Sequence, residues 1–429
     1  AGHGILDVYA ALKPITSSSY SQSIYAGGGN LAGQRYDLYK QMLVAGQSIG
    51  DGLKSGLSGI NNYSFDALGG GFKYDMSGHV SQVVKTAKTV DLENELTALD
   101  NPIKDRFELK VKMSFTGSAV DGTPDNDNQR FIATANAAAP AVQSFFDFGS
   151  TALASYTDYD TPYLATDEGG VGVTYAQNLG DTRILFSLNR PVEVGAGEEV
   201  KGKQHVAVMS SDTMISPSTH LGFMAGQAIE KDGFLGLQGT EAFNLDNSES
   251  NTSFVGVKFG KMLGDELKFN AMATSGRSTM ARTGDGIIRG ASDVVSSSYG
   301  FSLEKANIFG SDSLAISLQQ PNRVEQGRMS VITSNLSDSD GNLTYNNHNV
   351  SIVPTGRQKD LAIGYTKAVS DDLTISTKLI ATDELNHVKS AKDAYSAFVG
   401  FKSGNFKMGT SAATHRKGFD AQINYSTKF

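Results

Sequence analysis

Cysteine and tryptophan are both missing from this chain. Without cysteine there is no disulfide framework, no Cys-ligated zinc and no thiol nucleophile. That suits a bacterial envelope or secreted protein that avoids oxidative pairing. Proline is scarce, nine in 429 residues, and only 19% of residues are charged. A disordered chain would be richer in both. An excess of basic residues is lacking too. The net charge of -8 argues against nucleic acid as a partner, since such binders are usually basic. No apolar run approaches the roughly 18 residues of a membrane helix. The richest, Ile132 to Val142, is alanine-based and broken by Pro140. A chain of this kind can enter a membrane only as a closed barrel. The histidines His3, His79, His205, His220, His348, His387 and His415 are scattered, with no close pair. Each reads as a surface or strand residue, and neither a metal site nor a cofactor is expected.

Glycine, by contrast, is plentiful at 47 residues, and the chain is too long for one ordinary compact core. Many strands joined by turns fit this balance. From Pro162 onward the pattern is almost unbroken β. Strands are expected at Val171–Gln177, Arg183–Asn189, His205–Ser210, His220–Ile229, Phe234–Gly239, Phe254–Met262, Leu267–Thr274, Tyr299–Lys305, Leu314–Gln320, Met329–Thr333 and Asn347–Val353. Turn residues cluster at Gly180-Asp181, Asp232-Gly233, Gly264-Asp265, Ser311-Asp312, Asp340-Gly341 and Asp371-Asp372, which predicts an antiparallel meander. So many strands in one sheet must curl, split or close.

The last seventy residues show the pattern best. Leu361, Ile363 and Tyr365 alternate with smaller or polar residues, as do Leu373, Ile375, Thr377 and Leu379. Tyr395 to Phe401 and Phe406 to Thr410 follow. In the final strand Phe419, Ala421, Ile423, Tyr425, Thr427 and Phe429 share one face, and Asp420, Gln422, Asn424, Ser426 and Lys428 share the other. Two readings fit: a soluble antiparallel sheet with one face on a core, or a transmembrane barrel, apolar outside and polar inside. The terminal aromatic resembles the closing strand of bacterial outer-membrane proteins. In either case Phe419, Ile423, Tyr425 and Phe429 are expected to face lipid or an apolar partner.

The first half is less regular. Ile5, Val8 and Leu12 recur at helical spacing before Pro14. Thr16 to Gly33 is a Ser/Gly-rich linker. Gln34 to Leu57 carries a broken apolar stripe (Tyr36, Tyr39, Leu43, Ile49, Leu53, Leu57) interrupted by Gly46, Gly50 and Gly52. A helix with that much glycine is predicted to dock on something rather than stand alone. Asn61 to Ser77 turns to β around Gly69-Gly70-Gly71. Val80 to Ala98 reads as helix or irregular, Phe107 to Phe115 as a strand, and Ala133 to Phe148 as a short helix. Val120 to Gln129 is a polar loop whose carboxylates lack a calcium-loop pattern.

Several of these stretches carry a family resemblance. Gly2, Gly4, Ile5, Leu6, Asp7, Ala11 and Leu12 match the end of the catalytic domain of subtilisin-like serine proteases. Gly50, Asp51, Leu53, Asp66, Gly69, Phe72 and Asp75 resemble the region that follows it in proteobacterial members. Gly70 stands where those usually have arginine, so that arginine's role does not carry over. The stretches 161–165, 233–264, 319–331 and 353–369 are similar to their C-terminal β region, with Pro321, Arg323, Glu325, Gly327, Pro354, Gly356, Arg357 and Leu361 in order. The triad segments of the family are absent. Ser210-Ser211-Asp212 follows no Gly-Thr and opens no helix.

The resemblance implies a non-catalytic C-terminal portion of an autotransporter-like subtilase, with no enzyme activity of its own. Residues 1–15 would end an upstream catalytic domain, 16–60 would be linker and docked helix, and 61–429 an antiparallel β domain, barrel-like. No leader peptide is evident at Ala1-Gly2-His3, so a mature or truncated product is expected. The implied role is to anchor or export an N-terminal passenger at the outer membrane, with the lipid bilayer or the outer-membrane assembly machinery as partner. The other reading is a secreted structural module, released by proteolysis and self-associating. Arg323, Glu325 and Arg357 are expected to form ion pairs in a lumen or on a sheet face.

Overall fold

The computed structural model describes residues 42–65, 71–82, 96, 99, 118–121, 129–135, 170–191, 203–240, 243–282, 286–337, 343–389, 391–414 and 419–425. Its first part is a small unit: β1 (Leu43–Ala45), helix α1 (Gly52–Leu57), the hairpin β2 (Asn61–Phe65) with β3 (Gly71–Asp75), a 3-10 turn at Met76–His79, and β4 (Val80–Gln82). The rest is dominated by one antiparallel sheet. Its strands are β5 (Ser118–Asp121), β6 (Gln129–Ala135), β7 (Gly170–Leu179), β8 (Thr182–Pro191), β9 (Lys203–Ser216) and β10 (Thr219–Lys231). After a two-residue piece, β11 (Gln238–Gly239), come β12 (Ser248–Met262), β13 (Leu267–Arg282), β14 (Ile288–Ala306), β15 (Asp312–Ser337) and β16 (Leu343–Ser351). The last are β17 (Lys359–Ala368), β18 (Leu373–Asp383), β19 (Ala394–Ser403), β20 (Phe406–Ala413) and β21 (Phe419–Tyr425).

Neighbours in sequence are neighbours in space, from β5 through to β21. The described sheet has 16 strands; β11 lies outside it and β16 pairs only with β15. This is the expected mainly-β meander. The turns at 180–181, 217–218, 263–266, 307–311, 369–372 and 404–405 all fall at one end of the sheet. The longer connections, such as 191–203, 231–248 and 383–394, fall at the other. β15 is 26 residues long. It pairs with β17 over Asp312–Gln319 and with β16 over Arg328–Ser337, so it runs past the other strands at the long-connection end.

Several expectations need correction. Leu314–Gln320 and Met329–Thr333 are one strand. The stretch between them pairs with β14 through repeated register shifts, and Gly327 takes φ 152°. Such an irregular edge also tolerates Pro321, which has no N–H to donate. Phe234–Gly239 is not a strand but a tight loop. The buried Glu230 carboxylate accepts the Leu235 N–H at 2.9 Å, and Asp232, Leu235 and Gly236 take left-handed φ values. Gln238 and Gly239 pair with Val44 and Leu43, and Phe234 bridges Leu237 across the loop. The strand expected at Asn347–Val353 is present with its bounds shifted to Leu343–Ser351, and residues 80–82 and 133–135 are strand where helix or irregular chain is expected. The expected helix over Gln34–Leu57 shrinks to Gly52–Leu57, with β1 at Leu43–Ala45 and residues 34–41 outside those described. Gly50 at φ 51° breaks the stripe, as interior glycines do. The strand expected at Phe107–Phe115 also lies outside the described residues.

The short helix and the residues before it pack on the sheet. Apolar residues between Leu43 and Leu57, with Met76, Val80, Phe234, Leu237, Phe243 and Leu245, form a buried cluster with the long-connection ends of β13 to β16. Leu43, Ile49, Leu53 and Leu57 meet Phe234, Phe243, Ile288, Val331 and Ile352 there. Residues 42–65 and 71–82 thus share their core with the end of the sheet. Glycines permit the close approach. A Cβ on Gly52 would lie 2.3 Å from the Ile352 carbonyl oxygen, and one on Gly56 2.2 Å from that of Ser351. Gly52→Ala is therefore expected to destabilise the docked unit by about 1–3 kcal/mol, as overpacking does. Faster hydrogen exchange over residues 52–57, with β17 to β19 unchanged, would register it.

Candidate functional site

The two faces of the main sheet have opposite chemistry, and they are the reverse of a water-soluble protein's. On the exposed face, register sets apolar residues side by side. One row crosses eight strands: Leu221, Phe259, Ala271, Phe301, Leu318, Leu361, Ala381 and Tyr395. The next contains Phe269, Leu303, Ile316, Ile363, Leu379 and Ala397. Leu379 is 61% exposed and Phe223 54%. Isolated exposed apolar residues are ordinary, but contiguous rows of them are not. In β21 the same parity holds: Ala421 and Ile423 are exposed, while Asp420, Gln422 and Asn424 are half-buried. Phe419, Ile423 and Tyr425 all lie in that strand, and Phe429 falls outside the described residues.

The covered face is polar. Thr174 and Ser187 lie 2.7 Å apart, Thr252 and Ser278 2.8 Å, and Thr274 and Ser298 2.6 Å, each pair directly across neighbouring strands. Asn270 donates to the Ser302 hydroxyl at 3.1 Å. A charged row crosses β8, β9, β10 and β12, where Arg183, Asp212, Gly222 and Lys258 are register partners in turn. Lys258 Nζ sits 2.9 Å from the Asp212 carboxylate, His220 Nε2 3.3 Å and Arg183 Nη2 3.5 Å. Gly222 makes room for this: a Cβ there would lie 2.6 Å from both Asp212 Oδ1 and Lys258 Cε. A smaller apolar patch, Ala315, Ala362, Ile380 and Phe398, interrupts the polar face. The Leu96 side chain, fully buried, reaches over Gly409 beside it.

A second cluster lies at the long-connection end. Arg323 donates to Glu325 at 2.7 Å and to the carbonyls of Gly356 and Pro354, both at 2.8 Å. Arg357 grips Glu325 through both terminal nitrogens, at 2.8 and 2.7 Å, and also donates to Gln320. Hydrogen bonds to Glu325 hold the Arg357 guanidinium above its ordinary pKa. The expected ion pairs of Arg323, Glu325 and Arg357 are thus present, and they fasten the 352–358 link to β15. Contrary to the expectation of a surface or strand residue, His387 is fully buried in a short turn at Leu385–His387. Its Nδ1 accepts the Gln358 N–H at 2.9 Å, and its Nε2 lies 3.0 Å from the Asn322 carbonyl oxygen. Burial pushes its pKa down to about 4, and Arg323 and Arg357 add to the shift.

Ser210, Ser211 and Asp212 do not form a catalytic set. Ser210 and Asp212 point to the covered face and Ser211 to the other, as period two requires. Among the described residues no group of three or more His, Asp or Glu is placed to hold a metal ion. No described helix is long and apolar enough to cross a membrane.

A large antiparallel meander, apolar outward and polar inward, with short turns at one end and long connections at the other, is the construction of outer-membrane β-barrel proteins. No family model matches the chain, and no curated protein does. Among solved structures, the toluene transporter TodX of Pseudomonas putida is similar over 60% of this chain and 81% of its own, at 11% identity and a TM-score of 0.30. Pseudomonas aeruginosa OccK8 (OprE) is similar over 71% and 75%, at 10% identity and 0.35. The FrpB iron transporter of Neisseria meningitidis overlaps 69% of this chain and 52% of its own, at 12% identity and 0.34. Overlap at this level assigns neither a function nor a site.

Proposed function

We propose that this chain is the β domain of a bacterial outer-membrane protein, with the lipid bilayer as its first partner, and that it holds an upstream passenger at the cell surface. The pair of apolar rows on the exposed face carries the reading. Buried in hydrocarbon they gain about 25 cal/mol per Å² of apolar surface removed from water; left in water they would promote aggregation. Short turns in such proteins lie on the periplasmic side and longer loops outside. The small unit 42–82 then sits on the outer side. Met42 donates its N–H to Thr240 at 3.1 Å in the loop between β10 and β12, so the first described residue lies at that outer mouth. The resemblance of residues 2–12 to the tail of a subtilisin-like catalytic domain makes a protease the proposed passenger. The β domain contributes anchoring or export and no bond-making chemistry.

The absence of tryptophan favours a second reading, since barrels usually carry aromatic girdles at both interfaces. In that reading the sheet is a secreted module whose apolar rows cover one another between copies. Purification separates the two. The membrane reading expects the protein in the outer-membrane fraction after a carbonate wash and monodisperse only in detergent or vesicles. A monodisperse oligomer in plain buffer would overturn it and leave the secreted module.

A further inference from the structure

We propose that His387 and its partners form an acid-sensitive latch, which on acidification lets go of the segment around Ser48–Gly52 at the mouth of the sheet. Three separate pieces of chain meet at this imidazole. β15 provides the Asn322 carbonyl, the 352–358 link provides the Gln358 N–H, and the turn itself returns the His387 carbonyl to the Gly356 N–H at 2.8 Å. The 42–57 segment rests on the same three pieces. The Ser48 carbonyl accepts the Val324 N–H at 2.8 Å, and its hydroxyl accepts from Asn322 at 3.1 Å. The Asp51 carboxylate accepts the Thr355 N–H at 2.8 Å and the Thr355 hydroxyl. Gly50 lies so close that a Cβ there would be 2.5 Å from the Asn386 carbonyl oxygen and 3.4 Å from His387 Cβ.

The contacts around the ring suit only neutral imidazole. With Nε2 donating to Asn322, Nδ1 must be the acceptor of the Gln358 N–H. A proton on Nδ1 would set donor against donor. The charges acting on the ring are Arg323 and Glu325 on β15 and Arg357 on the link, and Asp360 stands at the start of β17 beside Gln358. Asp360 is engaged by Gln358 and Thr382. Glu384, in the turn, accepts the Arg357 N–H, and Asp51 comes from the docked segment. Glu325 is shared by the two arginines, while Asp360, Glu384 and Asp51 accept hydrogen bonds from neutral groups. The turn is also held in a backbone conformation that non-glycine residues disfavour: φ is 50° at Glu384, 57° at Asn386 and 59° at His387. Released, it has reason to relax.

The sign follows from linkage. The docked state holds the His387 pKa at about 4, below the ordinary value of about 6.5 for a free histidine. The released state therefore binds more protons between those values. Docking is at full strength above about pH 6.5 and weakens as pH falls toward 4. Between pH 7.5 and 4.5 the released fraction should rise roughly 20- to 100-fold.

Hydrogen–deuterium exchange on the full chain in detergent or vesicles, as protection factors at pH 7.5 and 4.5, tests this. Residues 46–57, 352–358 and 384–388 should lose protection by roughly 20-fold or more, while β12 and β13 keep theirs. His387→Asn, which suits a positive φ and cannot titrate, should abolish the step; His387→Gln serves if the first variant fails to assemble. Asp51→Asn should loosen the segment at both pH values and keep the step. An unchanged wild-type profile, the same step in a non-titrating variant, or a loss spread evenly over β12 and β13 would each overturn the latch. If neither histidine variant assembles, the wild-type profile decides by the same criteria.

Discussion

Ile363→Arg should lower the stability of the domain in phospholipid vesicles by about 2–4 kcal/mol, the cost of a cation at the midplane of a barrel's lipid face. Ile363 is 41% exposed, between Ile316 and Leu379, which are also exposed. The same substitution distinguishes the two readings of the sheet. On a water-facing surface a charge at a position this open would change stability by no more than about 0.5 kcal/mol. Ile423→Arg, on β21 and 63% exposed, should behave like Ile363→Arg if that strand also meets lipid. Gln422→Arg, half-buried on the opposite parity, should cost far less. Reversible urea unfolding in vesicles, followed by the shift of an electrophoretic band between folded and unfolded forms, gives the numbers. A near-zero effect at Ile363 would remove the lipid-facing assignment of both apolar rows.

The meander was legible because its signal is local. A strand with one apolar face writes a period of two into consecutive residues, and from Val171 to Ile423 most strands do so. Their tight turns fall at glycine and aspartate. What resisted reading was set by partners far along the chain. Phe234–Gly239 has strand-like residues, but the Glu230 carboxylate pulls the Leu235 N–H into a loop. Leu314–Gln320 and Met329–Thr333 look like two strands because the stretch joining them carries Pro321 and Gly327, which only the irregular pairing with β14 accommodates. Asp51 and Thr355 are 304 residues apart, and no spacing announces their contact. His387 looked like one histidine among seven; its burial depends on Gln358 and Asn322 arriving from two other elements. Arg323, Glu325 and Arg357 were singled out by resemblance, and their pairing is geometry that only the fold supplies.

The charged row on the covered face leads to the largest expected loss. Asp212→Asn removes the carboxylate shared by Arg183, His220 and Lys258 while keeping its size. The side chains of Arg183, Asp212 and Lys258 are each no more than 4% exposed, so water cannot take over the carboxylate's role. Breaking a buried pair by removing one partner costs about 3–5 kcal/mol, because the remaining charge stays desolvated. Asp212→Asn should therefore cost about that much in the same unfolding assay. Lys258→Met alone also breaks the pair, yet it leaves Asp212 with Arg183 and His220 and should cost less. The double variant is the informative one. With Lys258 gone, the carboxamide faces one cation fewer, and part of the loss should return. A coupling energy of about 1–3 kcal/mol is expected for groups in contact. Additivity of the two single effects would mean that Asp212 and Lys258 do not depend on each other, and that water reaches this face at the level of Gly222 in spite of its burial.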